Sequence, residues 1–160
     1  MIEIVEGDLG CPEHANAVIL LMDEYSRDPM GAGKALPSHV RENLVSELKR
    51  RDAIHIIIAF SAGVPAGLVV CIEGFSTFAC RTLLNIHDVI VSRDHRGQGV
   101  CKRMLEEAEL LARKIDCCKI TLEVLEGNAI AQNAYKSFGF SGYELDPEMG
   151  RAMYWEKKLP

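Results

Sequence analysis

The chain has one Trp, few aromatics and no window of about eighteen uncharged apolar residues, so no segment reads as a membrane-spanning helix. It lacks an extended basic run, and its net charge is −5. That balance argues against a nucleic-acid surface and mildly favours a cationic substrate. The opening residues, Met1-Ile2-Glu3-Ile4-Val5-Glu6, carry no basic segment followed by an apolar one, so a cytoplasmic location is expected. Six cysteines are present (Cys11, Cys71, Cys80, Cys101, Cys117 and Cys118), but without C-x-x-C spacing and without His in a shared loop cluster. Neither a zinc site nor a disulfide framework is expected, and reduced thiols are. The vicinal pair Cys117-Cys118 stands at the start of an apolar run, where one side chain faces each side of a sheet.

The length of 160 residues and the apolar content of 48% suit one well-buried core, so residues 1–160 are expected to form a single domain. Residues 2–6 alternate as a strand. Gly10 and Pro12 then open a helix with Ala15, Val18, Leu21, Met22 and Tyr25 on its apolar face, ending by Asp28. Residues 28–37 have no periodicity and have Pro near each end, the pattern of a loop that often binds. A second helix is expected over 38–51, with Val40, Leu44, Val45 and Leu48 as its stripe, then strands over 54–60, 66–73 and 82–91. The clearest helix starts at Val100 and repeats its apolar stripe through Met104, Leu105, Ala108, Leu111, Ala112 and Ile115. A strand over 118–125, a short helix over 128–137 and an antiparallel pair, 140–145 with 152–159, close the chain. This order predicts an α+β, three-layer α/β/α domain around a mixed, mostly antiparallel twisted sheet. The closing pair would leave an edge able to join two copies as a homodimer.

Chemistry concentrates where the strand through Val89, Ile90 and Val91 runs through a charged turn into Arg96-Gly97-Gln98-Gly99 and a helix. Two glycines let the backbone bend without a Cβ clash, and the amides of the turn and first helical residues can then point at an anion. The backbone N–H groups of Gln98, Gly99, Val100, Cys101 and Lys102 suit a phosphate, and the side chains of Arg96 and Lys102 add positive charge. A second strand-to-helix unit follows at βαβ spacing, with Leu122, Val124, Asn128, Ala131, Tyr135, Gly139 and Phe140. Asn128 and Tyr135 are seven residues apart, hence on nearly one helix face, with Ala131 between them. A bland reading of the same residues is an N-cap and a core tyrosine.

The first segment resembles the R-x-x-G-x-[GA] pyrophosphate loop of the GNAT (GCN5-related N-acetyltransferase) superfamily, with Cys101 where the pattern has Gly or Ala. The second resembles that superfamily's L-x-V-x-x-x-N-x-x-A-x-x-x-Y-x-x-x-G-F segment. The resemblance implies an acetyl-CoA-dependent N-acetyltransferase in which an amine attacks the thioester directly, with acetyl-CoA as donor and no metal. The acceptor would be a small-molecule or peptide amine, with neither nucleic acid nor membrane as a partner. It further implies that the sheet splays beside the strand ending at Val91, and that Val89, Ile90 and Val91 pair with the pantetheine arm while an N–H near Val89 holds the oxyanion. Arg96, Gly97, Gln98, Gly99, Val100, Cys101 and Lys102 would bind the pyrophosphate, Asn128 and Ala131 would flank the cofactor, and Tyr135 would be the general acid.

A base must also take a proton from the ammonium form of the substrate. The candidates are His87, whose ordinary pKa near 6.5 suits neutral pH, its neighbour Asp88, and Glu73 on the preceding strand. In a regular strand His87 and Asp88 face opposite sides, so only a bulge would alter which of them lines the site. Two other readings stay open: a catalytically inactive CoA-binding sensor of the same fold, and a nucleotide-binding domain. The second fits poorly, because G-x-x-x-x-G-K-[ST] is absent and position 102 is Lys where G-x-G-x-x-G needs its third glycine. The remaining histidines, His14, His39, His55 and His95, are dispersed and read as structural or solvated.

Overall fold

A computed structural model describes residues 1–160. The chain divides into two compact units, Met1–Leu122 and Glu123–Pro160. The first unit contains β1 (Ile2–Glu6), α1 (Pro12–Arg27), α2 (Ser38–Lys49), β2 (Ile54–Ser61), β3 (Val64–Ser76), β4 (Arg81–Val91), α3 (Val100–Lys114) and β5 (Ile120–Leu122). Its five strands lie in sequence order; β1 to β4 pair antiparallel, and β5 joins β4 in parallel. The sheet is therefore mixed and mostly antiparallel.

Side chains alternate across the strands, and each face finds a helix layer. Ile56, Ile58, Phe60, Leu68, Val70 and Ile90 form one core with Ala17, Val18 and Leu21 of α1, against which Leu44 and Leu48 of α2 also pack. On the other face Ile57, Val69 and Cys71 are buried, and α3 supplies Val100, Met104, Leu105, Ala108, Leu111 and Ala112. A Cβ at Gly67 would stand 2.8 Å from Met104 Cε, so the absent side chain at that position is what lets α3 approach β3. The α3 stripe is the one the sequence predicts. In α1 the buried positions are Ala17, Val18, Leu21 and Ser26, with Met22 and Tyr25 at the margin.

The second unit holds α4 (Ala129–Phe138) and a single 3-10 turn, Pro147–Met149. Two expectations are corrected. The strand expected over 118–125 is only Ile120–Leu122, and the pair expected over 140–145 and 152–159 reduces to one bridge between Glu144 and Arg151. The reason lies in the pattern: Met153, Tyr154 and Trp155 are consecutive rather than alternating, so no single face can be buried, and all three are exposed. The edges of the sheet are consequently β1 and β5. No helix is long and apolar enough to cross a membrane.

Candidate active site

The exit from β4 builds the turn that the glycines predict. Ser92 N–H donates to Ala66 O at 2.9 Å, a 3-10 turn follows at Arg93–His95, and residues 96–99 lead into α3. Gly97 and Gly99 have φ of 73° and 76°, a left-handed conformation that costs an L-residue about 1–2 kcal/mol. A Cβ at either would meet nothing within 4 Å, so the backbone there faces open space. Gly99 is the N-cap of α3, no side chain caps the helix, and its first turn has no acidic residue. Arg103 N–H closes the first helical bond, on Gly99 O at 3.2 Å, so the amides of Val100, Cys101 and Lys102 lie ahead of the ladder. An uncapped helix start with free amides and the positive dipole end is what a phosphate group requires. Cys101 is half-buried and burial pushes its thiol up, so its side chain brings no negative charge to that site.

The two cations of the turn are already partnered. Arg96 Nη2 lies 3.0 Å from Asp28 Oδ2 and its Nε donates to Val91 O at 3.2 Å, whereas Lys102 Nζ sits 3.8 Å from Glu106. The Arg96 side chain is nonetheless 55% exposed and Lys102 74%, so both remain reachable. Gln98 folds back, its Nε2 donating to Asp94 O at 3.0 Å.

On β4 the ladder with β5 runs only from Leu84 to Ile86, while the strand continues to Val91. The β5 side of His87 to Val91 therefore has no strand partner. Pairing with β3 also slips there: Cys71 opposes Ile86 and Val70 opposes Asp88, so His87 is an extra residue in a bulge. The slip moves Asp88 onto the face of Val70 and Ile90, the face covered by α1, and leaves His87 exposed. Burial raises the pKa of Asp88, partly offset by the neighbouring His87. The pKa of Tyr25 of α1 is raised by burial and by the negative charges of Asp88 and Asp28. Glu73 lies elsewhere: its Oε1 is 2.6 Å from His55 Nε2, and it follows Cys71 on the α3 face of the sheet. The bulge thus brings Asp88, not Glu73, toward the α1 side.

In the second unit Asn128 caps α4, its Oδ1 accepting from Ala131 N–H at 3.1 Å. Tyr135, two turns along, is 9% exposed, and its ring meets Phe140 edge-on at 6.0 Å. Phe140 N–H donates to Tyr135 O across Gly139, whose φ of 110° ends the helix, and Phe138 stacks on Phe140 at 6.1 Å. Asn128, Ala131 and Tyr135 are therefore on one short, firmly terminated helix. No group of three or more His, Cys, Asp or Glu side chains is arranged to hold a metal ion.

The model of the acetyltransferase (GNAT) family matches residues 19–140, which include both glycine turn and α4. The chain belongs to the GNAT acetyltransferase family. Among curated relatives of this GNAT chain, the streptothricin acetyltransferase of Escherichia coli is 32% identical over 105 residues, covering 60% of the chain and 59% of the relative. That of Streptomyces lavendulae is 36% identical over 63 residues, or 39% of the chain and 33% of the relative. The chain thus spans less than two thirds of the length of the curated relatives it matches. Among solved structures, a probable acetyltransferase superposes with a TM-score of 0.76 at 22% identity, over 99% of this chain and 97% of the other. The aminoglycoside acetyltransferase AAC(6')-Iy, in complex with a CoA-linked bisubstrate analogue, gives 0.77 at 16% over 99% of both chains. At these identities the likeness establishes the fold.

Sequence reasoning missed two groups that lie near the turn and the β4 bulge. Asp28 entered only as the end of α1 and the first residue of the 28–37 loop, and Tyr25 only as an apolar stripe residue. Their partners, Arg96 and Asp88, lie more than sixty residues away in sequence, and no local pattern links them.

Proposed function

We propose that residues 1–160 are one acetyltransferase domain that uses acetyl-CoA to acetylate an amine. The observation that carries this reading is the uncapped start of α3 behind Gly97 and Gly99, with open space over the turn. Family membership supplies the reaction class. Acetyl-CoA, when bound, supplies an acetyl group activated as a thioester. The amides of residues 98–102 and the free N–H groups of Arg96 would bind its phosphates, and the unpartnered edge of Val89, Ile90 and Val91 would pair with the amide-bearing arm.

An alkylammonium must lose a proton before it can attack. Asp88 is our preferred base: a half-buried carboxylate with a raised pKa is a stronger proton acceptor than an exposed one, and His87 beside it in the bulge can pass the proton to solvent. Glu73 is the less suited candidate because its carboxylate is engaged by His55. Tyr135, matching the family's general acid, would give its hydroxyl proton to the departing sulfur.

For the acceptor we favour a small polycationic amine of the streptothricin kind. The support is the pair of curated relatives, the net charge of −5, and the half-buried carboxylate of Asp88. The test is incubation with acetyl-CoA and a panel of streptothricin, aminoglycosides, polyamines and lysine peptides, read by product mass. Acetylated streptothricin as the fastest product is expected. Acetylation of peptides alone would overturn the acceptor assignment, and no acetylated product from any amine would overturn the activity.

A further inference from the structure

The loop between α1 and α2 and the glycine turn are distant in sequence but meet at one carboxylate. Asp28 is 9% exposed and caps the C-terminus of α1, its N–H donating to Tyr25 O at 3.0 Å. Its Oδ1 accepts from Met30 N–H at 3.0 Å, and its backbone O accepts from Gly31 N–H at 2.9 Å and Gly33 N–H at 3.3 Å. The loop is thus wound around Asp28. Ser26 completes the winding: its backbone O accepts from the N–H groups of Ala32 and Lys34, and its hydroxyl donates to Lys34 O at 2.7 Å. The other carboxylate oxygen of Asp28 faces the turn, 3.0 Å from Arg96 Nη2 and 3.9 Å from Arg93 Nη2. A parallel bond joins the same two segments, from Arg93 N–H to Glu24 Oε1 at 2.8 Å.

Arg96 is held from two sides, by Asp28 and by Val91 O. A guanidinium has five N–H donors in a fixed plane, so two held donors set the direction of the remaining three. We propose that Asp28 is a positioning residue for the phosphate turn and that its bond to Arg96 makes the turn and the 29–36 loop one coupled unit, in which filling the turn tightens the loop. The proposal rests on reading the turn as the CoA site.

Amide hydrogen exchange measures this directly, because Gly31, Ala32, Gly33, Lys34 and Leu36 each have a hydrogen-bonded amide in the loop. In the ligand-free protein, Arg96→Gln should speed exchange at these amides by at least about fivefold. Lys114→Gln, which loses only the ion pair with Glu6, should leave them unchanged. In the reverse direction, Asp28→Asn keeps an oxygen for Met30 N–H but loses the charge on Arg96, and should speed exchange at His95 and Arg103. Should Arg96→Gln fail to fold, the Asp28→Asn measurement decides alone. Added CoA should slow the loop amides of the wild-type protein. Loop exchange that is unmoved by Arg96→Gln, or unmoved by CoA that demonstrably binds, overturns the coupling. If CoA does not bind the wild-type protein, the CoA reading fails, and the ligand-free variants still decide whether the two segments are joined.

Discussion

Gly99→Ala separates backbone strain from ligand approach. Gly99 has φ of 76° and an added Cβ meets no heavy atom within 4 Å, so the substitution introduces no clash inside the protein. Its cost to folding is the left-handed conformation alone, about 1–2 kcal/mol, or roughly 2–8 °C in melting temperature for a domain of this size. Gly63, in the turn between β2 and β3, offers a matched control with φ of 78° and equally open surroundings. Gly63→Ala should therefore destabilise the fold by the same amount. The new methyl at position 99, however, stands where a phosphate has to approach the backbone. CoA affinity, measured by calorimetric titration, should fall at least about tenfold in Gly99→Ala, near 1.4 kcal/mol, and stay unchanged in Gly63→Ala. Equal CoA affinity in both variants and the wild type would refute the cradle. Equal losses in both would mean that strain, not ligand approach, is what the substitution reports.

Tyr135→Phe should keep CoA affinity and lower turnover at least about tenfold, read by steady-state product formation; unchanged turnover removes Tyr135 from the acid role. Asp88→Asn should lower kcat/KM and abolish the acidic limb of its pH profile, whereas His87→Gln should only shift that limb; a limb that survives Asp88→Asn contradicts the base assignment. Because burial raises the Asp88 pKa above its ordinary value, the stability it contributes is complete below that value and is lost as pH rises through the folded one. Asp88→Asn should therefore stabilise the fold at pH 7, in urea or thermal unfolding. Asp28 has the opposite sign: the Met30 N–H and Arg96 lower its pKa, so its stabilisation is present above the ordinary value and lost as pH falls through the folded one. Asp28→Asn should destabilise at pH 7 and make little difference in strong acid.

Much of the architecture is readable from the apolar pattern, because α1 and α3 each bury one stripe while β2 and β3, covered on both faces, are continuous apolar runs. The α3 stripe from Val100 to Ala112 is readable residue by residue, since a 3.6-residue repeat admits one buried face. The closing segment is not, because apolar content at Met153, Tyr154 and Trp155 resembles a strand while its order defines no face. The turn at residues 96–99 is readable because glycine has few reasons to recur there other than positive φ. The bulge at His87 is invisible to pattern, since one extra residue in β4 leaves the local sequence strand-like and only the register with Val70 and Cys71 shows it. Asp28 is hidden for a different reason. An aspartate that follows a helix is ordinary locally, and its significance comes from Arg96, a contact across 68 residues.

Thermal unfolding with and without ligand tests whether the turn between β4 and α3 holds acetyl-CoA. At about 100 times its Kd, a ligand bound only by the native state adds roughly 2.7 kcal/mol, several degrees here. Binding at the turn gives such a rise with acetyl-CoA and with CoA, and none with NAD or ATP. No rise at millimolar acetyl-CoA would contradict it.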